Sequence, residues 1–393
     1  MKNYSPNTMK FWNRLSTEQK LSYRLMRRHR ILPSLNGVYT KESPEVQSLA
    51  QTPSWAISNF SNSSDVWNIT AGSGAIVAVL DTGISYNNPD LSNCIIDGAD
   101  FSGDGGLPAD DDGHGSHCAG IIAGANDSEG SVGIAPQAKI MPIKVFSSSG
   151  MTTDKILAKS IRYAVDNGAD IISMSLGSRY PNRPILDKAI KYANDNNVTI
   201  FAASGNDNSP NAYVNDYFYF NRTNPTGIEG DNVPKNSTTL NSYNRVAYPG
   251  KSAGVIGVGS YFHSNVLNKK IVSSFTSCGT GLDILAPGDR IWSAYDNDTW
   301  YILSGTSMAT PFAAGVAALL VSYAKSIGKT LTPTEILTIL SSNAINPGPT
   351  VTSYYGQVNF DWNNDGKMDE FWCGAGIINL AGFNTWKNFI DTK

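Results

Sequence analysis

The stretch Gly305-Thr306-Ser307-Met308-Ala309-Thr310-Pro311, continued by Phe312-Ala313-Ala314-Gly315-Val316-Ala317-Ala318-Leu319-Leu320, leaves the chain few folds to choose from. A serine after a glycine and before a run of small and apolar residues sits at the start of a helix, and a helix this uniformly apolar has to be enclosed on every side. Its N-terminus offers free backbone N–H groups and the positive end of the helix dipole, both suited to charge developing on an oxygen. Serine is also a common helix cap, so Ser307 taken alone has a structural reading as well. Enclosing such a helix takes a substantial core, and 393 residues with 41% hydrophobic content supply one, in one large or two ordinary domains.

Around that helix the chain alternates between two patterns. Residues 75–80, Ala-Ile-Val-Ala-Val-Leu, form a continuous apolar run of strand length that ends at Asp81-Thr82-Gly83. Such runs suit strands buried on both faces. Residues 139–145, 170–175, 198–203 and 253–259 also read as strands, with helical patterns at 153–167 and 185–196 between them. The alternation predicts an α/β fold: three layers, with a mostly parallel central sheet and helices on both faces. In sheets of this kind ligands bind beyond the carboxyl ends of the strands, where Asp81, Ser175 and residues 204–206 fall.

Residues 1–49 differ from the rest. They are polar and basic, with the cluster Arg27-Arg28-His29-Arg30, and residues 17–28 place Leu21, Arg24 and Leu25 on one helical face. This segment reads either as a solvated extension or as a removable or inhibitory leader. A main domain is expected at 50–386, interrupted by irregular insertions at 207–245 and 346–372 and followed by a tail at 387–393. A net charge of -3, from 30 Lys+Arg against 33 Asp+Glu, gives no electrostatic case for nucleic acid or an anionic membrane. No apolar run suggests a membrane span and no signal peptide is evident, so the compartment stays open between intracellular and secreted with an upstream portion not included. The four cysteines, Cys94, Cys118, Cys278 and Cys373, are too scattered for a disulfide scaffold.

Three polar residues stand in close-packed, glycine-rich settings. Asp81 ends a strand in Leu80-Asp81-Thr82-Gly83-Ile84, His114 opens an apolar helix in Asp112-Gly113-His114-Gly115-Ser116-His117-Cys118-Ala119-Gly120, and Ser307 opens the later helix. Acyl transfer by a serine needs a base for the hydroxyl proton and a buried carboxylate to hold that base in one tautomer. Asp, His and Ser, in that order, are the residue types required.

With these motifs the chain resembles the subtilisin-like serine proteases from about residue 51 to about residue 380. The resemblance implies an endopeptidase working through an acyl-enzyme, with Ser307 as nucleophile, His114 as base and then acid, and Asp81 as orienting carboxylate. Phe201-Ala202-Ala203-Ser204-Gly205-Asn206 is similar to the family's oxyanion stretch, which makes Asn206 a donor beside the Ser307 N–H; alone, an Asn after Gly reads as a turn residue. An extended substrate is expected along Ser175-Leu176-Gly177, with Ala203 and Gly205 beside it. Ala247-Tyr248-Pro249-Gly250 resembles the floor of the P1 pocket. A glycine often stands where Ala247 does, so medium apolar or aliphatic P1 residues are expected, while Asp207 at the pocket mouth would favour a basic one. Asp110-Asp111-Asp112 reads either as a solvated acid cluster or as a rim for a basic P2 residue, as in proprotein convertases, although Thr82 replaces their companion acid. Cys118, one turn after His114 as in proteinase K-like members, is expected to be a buried, inert thiol.

The resemblance also implies structural calcium. Asn126-Asp127-Ser128-Glu129-Gly130-Ser131 is similar to the family's calcium loop, which assigns Asp127, the carbonyls of Ala125, Glu129 and Ser131, Asp90 and Gln51 as ligands. A second segment with Asp361, Asn363, Asp365 and Asp369 matches the start of an EF-hand loop, but Trp372 stands at position 12; it reads equally as a calcium loop or an Asx-rich turn. The expected partner is a protein or peptide substrate, with no nucleic acid or membrane, and the chain is expected to be a monomer. Two other readings stay open: a narrow-specificity processing protease whose 207–245 insertion restricts the cleft, and a catalytically silent binding protein.

Overall fold

The computed structural model describes residues 32–33, 51, 54–58, 63–178, 184–206, 246–264, 269–273, 275–279, 281–345, 350–353, 356–359, 374–379 and 382–393. The expectations for residues 17–28, for the 207–245 insertion and for Asp361, Asn363, Asp365 and Asp369 lie outside these. In chain order the strands are β1 (Leu32–Pro33), β2 (Ile76–Asp81), β3 (Ala99–Asp100), β4 (Lys139–Lys144), β5 (Met151–Thr152), β6 (Ile171–Met174), β7 (Thr199–Ala203), β8 (Val255–Ser264), β9 (Lys269–Val272), β10 (Ile284–Pro287), β11 (Ile291–Ala294), β12 (Trp300–Leu303), β13 (Thr350–Ser353) and β14 (Gly356–Asn359). The helices are α1 (Trp55–Ser58), α2 (Ser63–Ile69), α3 (His114–Ala123), α4 (Asp154–Asp166), α5 (Pro184–Asp195), α6 (Thr306–Ser326), α7 (Pro333–Ser342) and α8 (Phe383–Thr392).

The main sheet runs β10-β8-β7-β6-β2-β4-β3, parallel throughout, and β9 joins β8 antiparallel. Each central strand is apolar on both faces because each face meets a helical layer. On β2, Val77 and Val79 enter the core shared with α3, α6, α7 and α8, while Ala78 and Leu80 enter the core under α4 and α5. Phe201 and Ile200 on β7 divide in the same way. The three-layer arrangement read from the sequence is the one observed.

Helix α6 is the centre of the larger core. Its residues from Thr306 to Ala324 are all buried, so a helix long and apolar enough to cross a membrane is here wrapped by protein. Most boundaries fall within two residues of expectation, with three differences, one being that residues 346–372, read as irregular, contain the antiparallel hairpin β13–β14. The strand expected at 253–259 continues to Ser264, because Tyr261–Ser264 pairs with β9. Residues 387–393, read as a tail, carry the second half of α8, whose Trp386 and Ile390 are buried against the core.

Candidate active site

Strand β2 ends at the rim of the sheet on Asp81, which is fully buried. Its Oδ1 lies 2.6 Å from His114 Nδ1 and accepts the Thr82 N–H at 2.8 Å. His114 is the first residue of α3, and α3 comes this near because residue 115 is glycine: a Cβ there would sit 2.2 Å from the Gly83 carbonyl oxygen. Burial lowers the basicity of the imidazole, but the charge and hydrogen bond of Asp81, with the charges of Asp112 and Asp110, outweigh it and hold His114 above the ordinary histidine range.

Ser307 occupies the second position of α6, so its N–H is among those with no helical carbonyl to meet. Its carbonyl is also released from the helix, since the residue four places on is Pro311, which has no N–H to donate. The hydroxyl of Ser175 takes that carbonyl at 2.7 Å, and the Cys118 thiol lies 3.5 Å from it. Ser307 Oγ in turn lies 3.4 Å from the Ser175 carbonyl oxygen. Cys118 Sγ is thus surrounded: it is 3.4 Å from Ser175 Oγ, and ligand atoms of Asp81, His114 and Cys118 lie within 4.8 Å of one another. Burial keeps this thiol well above its ordinary pKa, which is the inert cysteine expected.

Asn206 follows β7. Its Oδ1 accepts the N–H of Thr306 at 2.9 Å and the Thr306 hydroxyl at 3.0 Å, which anchors the amide at the start of α6 and commits Nδ2 to the donor role. Gly205 makes the turn with φ of +104°, and its N–H meets Thr306 Oγ1 at 3.2 Å. Ser175, Leu176 and Gly177 are buried, with Leu176 in the core beneath α4 and α5. Ser178 exchanges two 2.7 Å backbone hydrogen bonds with Tyr248, and Ala247 N–H reaches the Ser204 carbonyl at 2.7 Å. Segments 175–178, 203–206 and 246–248 therefore share one wall, with Ala203 and Ala247 both buried in it.

Of the acidic run before α3, Asp110 turns inward and is not merely solvated. Asp110 Oδ1 accepts from Thr82 Oγ1, Gly113 N and Asp112 N at 2.8, 2.9 and 3.1 Å, and Oδ2 accepts from Ser116 N and Oγ at 2.8 and 2.6 Å. Asp111 receives the buried Lys144 ammonium at 2.7 Å, which also donates to the Thr82 carbonyl at 2.7 Å. Asp111 and Asp112 both remain exposed, and Asp112 Oδ1 lies 3.3 Å from the His114 N–H. Sequence reading also passed over His117, which is fully buried with Nε2 at 3.1 Å from the carbonyls of both Ile291 and Tyr301. The signal for both was an apolar helix start that needed its polar groups satisfied from outside.

The loop after α3 is bound to the start of the domain and to Asp90. Gln51 donates its N–H to the Ser128 carbonyl and Nε2 to the Ala125 carbonyl, both at 2.7 Å. Asp90 Oδ2 accepts from Ser131 N, Ser131 Oγ and Trp300 Nε1, whereas its buried Oδ1 has no hydrogen-bond partner among the described residues. Burial, reinforced by the charge of Asp127, raises Asp90 above the usual carboxylate range. A buried carboxylate oxygen left over beside a second carboxylate and loop carbonyls is a donor set that suits a hard divalent cation.

Comparison with known proteins gives a family match and several relatives. Residues 72–376 match the model of the subtilase family. Thermitase of Thermoactinomyces vulgaris is 38% identical over 265 residues, covering 66% of this chain and 79% of that protein. Subtilisin DY of Bacillus licheniformis is 33% identical over 309 residues, covering 79% and 90%. An intracellular serine protease of Paenibacillus polymyxa is 34% identical over 333 residues, covering 84% and 86%.

Proposed function

The chain belongs to the subtilase family and is a serine endopeptidase, and from that premise we propose which residues carry the reaction. Ser307 is the nucleophile, His114 the general base and then the general acid, Asp81 the carboxylate that orients the imidazole, and Asn206 the side-chain oxyanion donor. The observation that supports this most is the buried 2.6 Å contact between Asp81 Oδ1 and His114 Nδ1. It keeps the proton of the neutral ring on Nδ1, so Nε2 takes the Ser307 hydroxyl proton as Oγ attacks the peptide carbonyl. The Ser307 N–H and Asn206 Nδ2 meet the negative oxygen that forms, His114 returns the proton to the leaving amine, and water releases the acyl group by the same steps.

The substrate is a protein or peptide held extended, with its main chain along Ser175-Leu176-Gly177 and its P1 side chain against Ala203, Gly205 and Ala247. That floor suits medium apolar or aliphatic residues, and Asp112 offers a charge to a basic neighbour of the scissile bond. Residues 1–49 act as an inhibitory leader; β1 supports this, because Leu32 and Pro33 pair antiparallel with Thr152 and Met151 of β5, just beyond the carboxyl end of β4 and so near the rim of Asp81. Structural calcium belongs to the family, and here Gln51, Asp90, Asp127 and the carbonyls of Ala125, Glu129 and Ser131 would hold it, supplying charge that the loop lacks without it.

A fluorophosphonate probe followed by peptide mapping tests the assignment. Label on Ser307 of the wild type, absent in His114→Ala and with peptide hydrolysis lost in Ser307→Ala, is the expected result. Hydrolysis by Ser307→Ala at a comparable rate would remove Ser307 from the mechanism.

A further inference from the structure

Asp110 stands outside the residues assigned to the reaction, yet its carboxylate joins the two elements that bring Asp81 and His114 together. One oxygen holds Thr82, the residue next to Asp81, together with Gly113, the residue before His114; the other holds both the N–H and the hydroxyl of Ser116. Thr82 Oγ1, while donating to Asp110, accepts the Gly115 N–H at 2.9 Å, and Ser116 Oγ, while donating to Asp110, accepts the Ser85 N–H at 2.8 Å. Every residue flanking His114 is therefore tied to the turn that follows Asp81, directly through Asp110 or through one hydroxyl that Asp110 orients. The backbone of Asp110 is fixed as well, its N–H on the Ile84 carbonyl at 3.0 Å, and the next residue, Asp111, is pinned by Lys144.

We infer that Asp110 is a positioning residue for catalysis, whose carboxylate sets the register of α3 on the end of β2 and so aims the His114 imidazole from Asp81 toward Ser307. The inference rests on the assignment of Ser307 and His114 above. A carboxylate suits the task because it has only acceptors, and all five groups around it are donors. An amide of the same shape fails there, since its NH₂ would be set against N–H groups.

Asp110→Asn is the informative variant, with Thr82→Val and Ser116→Ala each removing one arm while keeping the charge. Each protein is titrated with the fluorophosphonate, so that turnover is counted per competent site. Asp110→Asn is expected to lose about 10- to 100-fold in kcat with KM changed less than about threefold, the effect of a misaimed base. The groups around the imidazole are Asp81 on β2, Asp110 and Asp112 in the preceding loop, His117 and Cys118 on α3, and Tyr295, whose ring packs on Gly113. Losing the Asp110 charge moves the acid limb of kcat/KM to lower pH, which loss of folding alone does not do. Thr82→Val and Ser116→Ala should lower kcat severalfold with the acid limb in place, and they decide the matter if Asp110→Asn does not fold. Titrated sites within twofold of wild-type kcat in these variants, with the acid limb unmoved in Asp110→Asn, would overturn the role. A wild type that the probe does not label at Ser307 would instead overturn the assignment beneath it.

Discussion

Pro311 shows how one residue shapes the site without approaching substrate. By withholding an N–H it frees the Ser307 carbonyl, and the Ser175 hydroxyl then ties the backbone of the proposed nucleophile to the segment on which substrate is proposed to lie. Asn206 is held in a similar way, by its oxygen, which keeps its nitrogen available for the proposed oxyanion, one that exists only after attack. Asn206→Ala should therefore lower kcat by about 10²- to 10³-fold and leave KM nearly unchanged, as steady-state kinetics on a peptide substrate will measure. An equal change in KM would mean that Asn206 binds the ground state. His114 gives a second prediction. The base function proposed for it requires the neutral ring, so activity is expected to fall as pH drops through its pKa, and Asp112 is one of the charges that raise that pKa. Asp112→Asn is expected to shift the acid limb of kcat/KM to lower pH; an unmoved limb would show that Asp112 is screened by water. The motif residues were readable because glycine, serine and histidine at these spacings have few structural uses. Asp110 was not, because a run of three acids says nothing about which of them turns inward.

Among the elements, α3 carries an unusual burden. It has His114 at its start and His117 one turn further, and the second is locked as a neutral donor between β11 and β12. Burial depresses His117 to a pKa of about 3, against about 6.5 in an unfolded chain. The unfolded state therefore binds a proton first as pH falls. The stability this site contributes is complete above pH 6.5 and is lost between 6.5 and 3, at about 1.4 kcal/mol per pH unit from this one group. Denaturant unfolding at pH 7.5, 5.5 and 4.5 should show that slope in the wild type and a shallower one in His117→Gln. Equal slopes would place the acid sensitivity elsewhere. The central strands could be read in advance because both of their faces are apolar, as Val77 and Ala78 illustrate by entering opposite cores. The β11–β12 hairpin could not. Its β12, Trp-Tyr-Ile-Leu, owes its place to partners such as His117 and Asp90 that lie far off in sequence.

At the scale of the whole molecule, the loop after α3 joins parts of the chain that are distant in order: Gln51 at the start of the domain, Asp90 after β2, and Trp300 on β12 all meet there. A cation between Asp90 and Asp127 would offset the burial and the Asp127 charge that now raise Asp90, and would fasten the start of the domain to the end of the helix that bears His114. Binding to the folded state alone stabilises by mass action, about 2.7 kcal/mol at a free calcium concentration 100 times Kd. Thermal unfolding with calcium and with chelator should therefore separate clearly for the wild type. Asp90→Asn and Asp127→Asn should bring the two curves together, and calorimetric titration should show the loss of one binding event in each, independently of activity. The reverse pattern, in which both variants keep the full calcium shift, would assign the stabilising ion to another part of the chain. In Asp90→Asn with chelator the midpoint should lie at or above that of the chelated wild type, because the substitution removes a buried charge that its hydrogen bonds to Ser131 and Trp300 only partly offset.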